Sequence, residues 1–217
     1  MPRPAVHPFL ESRTAGYLRD LARHDDPILL EMEALAAEKD FPIVGPECGR
    51  VLFQVARMTG AKRVFEMGSG YGYSTLWFAR ALPADGRVVH TDGDAANIEK
   101  AREFLRRAGV VDRVVFEHGD AREVLRRTPG EFDVIFCDID KEQYPGAYEL
   151  MRTRVRVGGA ILIHNTLWDG RVADPAITDE KTTVGVREYV RRMWADPAFV
   201  SSLLPMDDGL GLSVRIA

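Results

Sequence analysis

Three glycines alternate with other residues in Glu66-Met67-Gly68-Ser69-Gly70-Tyr71-Gly72-Tyr73, between an apolar run that opens at Val64 and a helical pattern ending near Leu82. A turn this bare lets backbone approach a ligand closely. The spacing is G-x-G-x-G, and Tyr73 stands where the dinucleotide fingerprint has its third glycine. Glu66, ionised beside the same turn, repels a diphosphate and suits a cationic amine. Together these features point to a positively charged nucleoside. Asp92 ends the next apolar run. It is placed either to take both hydroxyls of a ribose or to sit in a cap beside Asp94, which opens the following helix. Asp120 likewise has two readings, a helix cap or a contact to the edge of adenine through the 120–121 backbone.

The elements that must hold these residues follow from hydrophobic periodicity. Short apolar runs at Arg63 to Met67, Arg87 to Thr91, Arg113 to Glu117, Phe132 to Cys137 and Ala160 to Ile163 alternate with amphipathic stretches of helical spacing. That alternation predicts five parallel strands joined by crossover helices, with ligands at the carboxyl ends of the strands. After Gly170 the rhythm changes to a helix over "TTVGVREYVRRMWAD". Two strands joined by an Asp207-Asp208-Gly209 turn then form a closing hairpin. Residues 1–60 carry three helical patterns and form a cap or a dimer arm. Pro42 and Pro46 bracket an extended link that either lies against a ligand or merely connects. We therefore expect one α/β domain over residues 1–217, with a helical cap over 1–60 and a cofactor-binding core over 61–217. Its Rossmann-like sheet has seven strands, the last antiparallel, with helices on both faces.

Composition narrows the function classes. A chain of 217 residues, 46% hydrophobic, holds one sizeable core. The net charge of −4 makes the arginine clusters solvated helix faces rather than a nucleic-acid surface. No apolar run approaches a membrane span, and the start "MPRPAVHPFLESRT" lacks the apolar core of a signal peptide. With only Cys48 and Cys137, no disulfide framework is expected, and the location is read as cytoplasmic.

The glycine turn, the two acids and the closing hairpin resemble class I S-adenosylmethionine (SAM)-dependent methyltransferases. The stretch from Phe132 to Val172 is similar to the O-methyltransferase family of catechol and caffeoyl-CoA O-methyltransferases. It carries Asp138-Ile139-Asp140-Lys141-Glu142-Gln143-Tyr144, then Gly158-Gly159, His164-Asn165 and Trp168-Asp169-Gly170-Arg171-Val172. The resemblance runs from about Pro46 to Val172 and more faintly to the C-terminus. It implies a cofactor site of Val44, Gly45, Glu66, Gly68, Ser69, Ser74, Asp92 and Ala121, and a homodimer; Asp120 and Asp138 are expected to join the cofactor contacts. It also implies a divalent metal on Asp138 and Asn165. Where the family has aspartate before that asparagine, this chain has His164.

Asp138 ends the fourth strand and His164-Asn165 end the fifth, so neighbouring strand ends bring them together. A divalent ion there would chelate a vicinal diol and acidify the attacking hydroxyl. Imidazole in place of a carboxylate disfavours magnesium and suits manganese or a borderline transition metal. Lys141 is placed to take the proton. Without a metal, His164 and Lys141 would share that role. Tyr144 and Trp168 either wall the acceptor pocket or pack. The expected activity is SAM-dependent methylation of a small aromatic vicinal diol, catechol-like or hydroxycinnamoyl in type. A nucleoside-binding homologue that has lost catalysis is the reading from another class.

Overall fold

The computed structural model describes residues 11–217; the proline-rich start lies outside them. Seven strands form one sheet in the order β3-β2-β1-β4-β5-β7-β6. The parallel part comprises β1 (Arg63–Met67), β2 (Arg87–Asp92), β3 (Val114–His118), β4 (Phe132–Cys137) and β5 (Val155–Ile163). The strand order reverses between β1 and β4, which opens a crevice at their carboxyl ends. β7 (Leu210–Arg215) runs antiparallel to β5, and β6 (Phe199–Leu204) runs antiparallel to β7.

Two expected strand bounds are corrected. The third strand starts one residue later, because Val111–Arg113 form a single 3-10 turn. The fifth begins at Val155, five residues before the apolar run, with an irregular pairing near Gly158 and Gly159. Those glycines hid the strand from a pattern search.

Alternation along the strands builds two apolar layers. Val64, Val88, Val134 and Phe136 face α2 (Pro27–Lys39), α3 (Pro46–Met58), α4 (Tyr73–Ala81) and α5 (Ala95–Arg107) through Leu29, Met32, Leu52, Leu76 and Phe104. On the other face, Phe65, Ile135, Ile161 and Ile163 meet α6 (Ala121–Arg127), α7 (Tyr144–Met151) and α8 (Lys181–Ala195) through Leu125, Tyr148 and Tyr189. Each such fully buried side chain contributes about 1.5–3 kcal/mol. The N-terminal helices, with α1 (Ser12–Leu21) first, thus include two that close the first layer. Asp26 starts α2 by accepting the Ile28 and Leu29 N–H groups at 3.0 Å each, with Pro27 at the first helical position.

Topology also decides where the closing hairpin turn lies. Ile163 of β5 pairs with Gly211 of β7, so the residues just before Gly211 lie beyond the carboxyl end of β5. Asp207 and Asp208 are thereby delivered to the ligand edge.

Gly68 makes the tightest approach in the glycine turn. Its φ is +77°, and a Cβ there would lie 2.4 Å from the carbonyl oxygen of Asp138. Gly68→Ala should therefore destabilise the fold by about 3 kcal/mol in urea unfolding. Gly93→Ala, with nothing within 4 Å of its Cβ, should change stability by less than about 0.5 kcal/mol. Equal effects would remove the close approach as the reason for glycine.

Candidate active site

A cavity of about 1370 Å³ runs along the carboxyl ends of the parallel strands. It begins at Gly119, Asp120 and Ala121, passes Asp92 and the Gly68-Ser69-Gly70 turn, and reaches Asp138, Lys141, His164 and Asn165. Ligand pockets commonly span about 300–1,000 Å³, so this one has room for two small ligands. Val44 lines it from the extended link, together with Phe41, Pro42 and Ile43. That link is a wall rather than a plain connector. Ser74 lines it from the first turn of α4.

Asp92 does two jobs at once. Its Oδ2 accepts the Gly70 N–H at 2.9 Å, and its Oδ1 accepts the Asp94 N–H at 2.8 Å and Asn97 Nδ2 at 3.1 Å. Asp94 is the cap proper, accepting the Ala96 N–H. Asp120 caps α6 through the Arg122 N–H and is also paired with the Arg122 guanidinium, which holds its carboxyl down to about 2. Asp120 still lines the cavity, so both of its readings describe one residue.

The Glu66 side chain is fully buried behind the glycine turn, facing α4, and is not among the residues that line the cavity. Thr75 donates to its Oε2 at 2.5 Å. Burial pushes the carboxyl up to about 7, against hydrogen bonds from Ser74, Thr75 and Ser69. Tyr144 is corrected. It is fully buried, and its hydroxyl donates to the His164 carbonyl at 2.8 Å. It packs and does not wall a pocket. Trp168 is half-buried and lines a side cavity of about 380 Å³ with Lys141, Gln143 and Thr182.

At the end of β4, both oxygens of Asp138 face cations. Lys141 Nζ donates to Oδ1 at 3.0 Å and to the Ile139 carbonyl at 3.2 Å. The His164 Nδ1 lies 3.3 Å from Oδ2 in an ion-pair contact. On its other side, His164 Nε2 donates to Asp207 Oδ2 at 3.1 Å. Burial opposes charge on this ring, but Asp138 and then Asp207 overcome it and push the pKa up to about 10. Burial would raise Asp138, yet Lys141 and His164 hold it well below the usual carboxylate range. Asp208 accepts from Asn165 Nδ2 at 2.9 Å and from the Asp169 N–H at 2.7 Å.

An imidazole binds a metal through the lone pair of one nitrogen. His164 Nε2 is engaged by Asp207, while Nδ1 is buried with no hydrogen-bond partner, 3.3 Å from Asp138 Oδ2. The other oxygen of Asp138 accepts from Lys141. Among the described residues, no group of three or more His, Cys, Asp or Glu side chains is arranged to hold an ion. Asp138, His164 and Asn165, the residues expected to hold an ion, all line the cavity. Sequence reasoning also missed Asp207 and Asp208 as site residues, although the reversal of β7 against β5 implies their position. It missed Glu33 and Tyr73 as well, which line the far end of the cavity with the Tyr73 hydroxyl donating to Glu33 at 2.6 Å.

The seven-stranded sheet, its reversed final strand and the glycine turn beside Asp92 define the class I methyltransferase architecture. The chain belongs to the O-methyltransferase family, whose profile matches residues 20–216. It is 32% identical over 209 residues to a catechol O-methyltransferase of Niastella koreensis, covering 91% of this chain and 94% of the relative. It is 38% identical over 181 residues to tricin synthase 1 of Oryza sativa subsp. japonica, covering 77% and 72%. Among solved structures, the O-methyltransferase from Bacillus cereus in complex with SAH superposes with a TM-score of 0.83 at 29% identity, covering 92% of this chain and 96% of that one. The O-methyltransferase TomG from Streptomyces achromogenes, involved in tomaymycin synthesis and solved in complex with SAM, gives a TM-score of 0.84 at 27% identity, covering 93% and 95%. The protein is a SAM-dependent O-methyltransferase.

Two measurements test the site geometry. A group whose folded pKa is raised stabilises the fold fully below its unfolded value and loses that contribution as pH rises through the folded value. For His164 the window runs from 6.5 to about 10, and the two lowered carboxylates stay ionised across it. The stability of the wild type over His164→Asn should therefore shrink as pH rises through that window in urea unfolding. A difference independent of pH there contradicts the ion pairs. Asp92→Ala should weaken SAM binding about ten- to a hundredfold by calorimetry. Unchanged affinity would remove Asp92 from the cofactor site.

Proposed function

We propose that the chain methylates one hydroxyl of a small aromatic vicinal diol, catechol-like or hydroxycinnamoyl in type. It would do so as a single cytoplasmic methyltransferase domain that pairs into a homodimer. The observation that carries the activity is the placement of Lys141 and His164 in the same cavity as the cofactor turn, with space left for a second ligand. The catechol O-methyltransferase and tricin synthase relatives support an aromatic acceptor. The resemblance and the exposed Tyr17 and Leu21 of α1 support pairing of two copies. Buried, unpaired Cys48 and Cys137 accord with a reducing location. Among the described residues no helix is long and apolar enough to cross a membrane.

The residues would divide the work along the cavity. The 120–121 backbone meets the adenine edge and Asp92 the ribose. Gly68, Ser69 and Ser74, with Val44 and Gly45 across the cleft, enclose the amino-acid end, and Asp138 faces the cationic end. Bound there, SAM supplies an electrophilic methyl group whose C–S bond breaks as the acceptor oxygen bonds the carbon, the sulfur keeping the electron pair. Lys141 Nζ, held by Asp138 and the Ile139 carbonyl, is placed to receive the hydroxyl proton. Holding acceptor and methyl donor in line supplies much of the acceleration. A divalent ion held by Asp138, His164 and Asn165 would assist by acidifying the attacking hydroxyl; without one, His164 and Lys141 would share the proton.

Incubation with labelled SAM and a panel of catechols, flavonoids and hydroxycinnamoyl esters should label a vicinal diol on one oxygen. Labelling of monophenols at equal rate would contradict the diol. Lys141→Met should lower turnover about 10²-fold or more while leaving SAM affinity unchanged, because its contribution arises in the transition state. Wild-type turnover in that variant at neutral pH would leave Lys141 outside the chemistry.

A further inference from the structure

We propose that Arg187 of α8 is the positioning residue for the acceptor end of the site: its guanidinium gathers the loop that presents Trp168 and Asp169 beside Lys141. The proposal rests on the diol reading above, in which the acceptor hydroxyl meets Lys141, and adds the residue that shapes the wall around it.

Residues 164–180 join β5 to α8 with little regular structure beyond an irregular 3-10 segment, Trp168–Ala173. Long connections of this kind are uncommon in a compact domain, and when ordered they are usually functional. The backbone here is also unusual. Asn165, Trp168 and Asp169 have φ of +53°, +46° and +51°, left-handed values that a bulky tryptophan rarely adopts. Such a conformation persists only where the surroundings hold it. The Trp168 Nε1 donates to Thr182 Oγ1 at 3.2 Å, and the centroid of the ring lies 5.4 Å from Lys141 Nζ. The Asp169 N–H donates to Asp208.

Arg187 holds the rest of the loop. Its Nε donates to the Val172 carbonyl at 2.9 Å, its Nη2 to the Arg171 carbonyl at 2.9 Å and to the Asp174 carbonyl, and its Nη1 to the Ile177 carbonyl. One planar fork thereby satisfies four main-chain acceptors that no strand ladder serves. An ion pair between Arg171 and Glu180 draws the two ends of the loop together. The helix that carries Arg187 is itself seated on the Lys141 turn. A Cβ on Gly185 would lie 2.3 Å from the Lys141 carbonyl oxygen, so α8 packs directly on that backbone. α8 therefore sets both sides of the smaller cavity, the Lys141 turn through Gly185 and the Trp168 wall through Thr182 and Arg187. The glycine turn and Asp92 follow β1 and β2, on the far side of β4 from this loop. Loss of Arg187 should thus disturb the acceptor and spare SAM.

The test has one arm that needs no acceptor. The Gly170, Asp174 and Ile177 amides are each bonded within the loop, and in hydrogen exchange they should exchange about tenfold or more faster in Arg187→Met than in the wild type. Exchange in the central strands should be equal in both. Loop exchange that is unchanged, or that rises only together with the strands, overturns the proposal. With catechol as acceptor, Arg187→Met should raise KM about tenfold, with kcat within about threefold of the wild type and SAM affinity unchanged. Arg187→Lys should keep most of the raised KM, because one ammonium cannot span four carbonyls. An unchanged KM, a parallel loss of SAM affinity, or full recovery in Arg187→Lys overturns the positioning role. Should Arg187→Met fail to fold by circular dichroism, Arg187→Lys takes its place in both arms. If the wild type methylates no diol, the proposed function fails, and exchange alone decides whether Arg187 holds the loop.

Discussion

The contact between the Asp138 carboxylate and the His164 ring joins the ends of two adjacent parallel strands, and the site depends on it. Asp138 caps a strand whose backbone also presses on Gly68, so its position sets how closely the glycine turn can pack. His164 passes the constraint onward to Asp207, and Asp207 passes it to Gly45. One chain of charge-assisted contacts therefore connects β4, β5, the closing hairpin and the N-terminal link around the mouth of the cavity. Removing either end of such a buried pair leaves a charge with nothing to balance it, which is more damaging than never having built the pair.

The cofactor half and the acceptor half are held by different physics. Asp92 and the glycine turn are fixed by backbone N–H groups, so the nucleoside end is shaped by the main chain and tolerates little movement. The rest of the cavity is shaped by side chains on loops and helices: Phe41 and Ile43 from the link, Asp169 from the loop after β5, and Trp168 beside the smaller cavity. Side chains on such loops can vary without disturbing the sheet.

The parallel sheet was legible because each strand is a short apolar run between helical patterns. The cofactor edge was legible because glycines and acids fall where those runs stop. Where apolar content was interrupted, legibility failed. Val155 to Gly159 reads as a loop and is strand, held by pairing with Phe132 rather than by its own composition. The burial of Glu66 was not legible, because type and position alone do not tell which side of a turn a carboxylate lies on. His164 was recognised as the residue that departs from the family pattern, but its partner on the other side was not. Asp207 lies 43 residues further along and reads locally as half of an ordinary turn. Only the direction of β7 places it opposite His164.

The most direct test of the proposed reaction is a crystal of the protein with SAH and a catechol. The account predicts the ribose on Asp92 and the catechol oxygen beside Lys141, in line with the sulfur of SAH. A catechol bound away from Lys141, or a ribose away from Asp92, would contradict it.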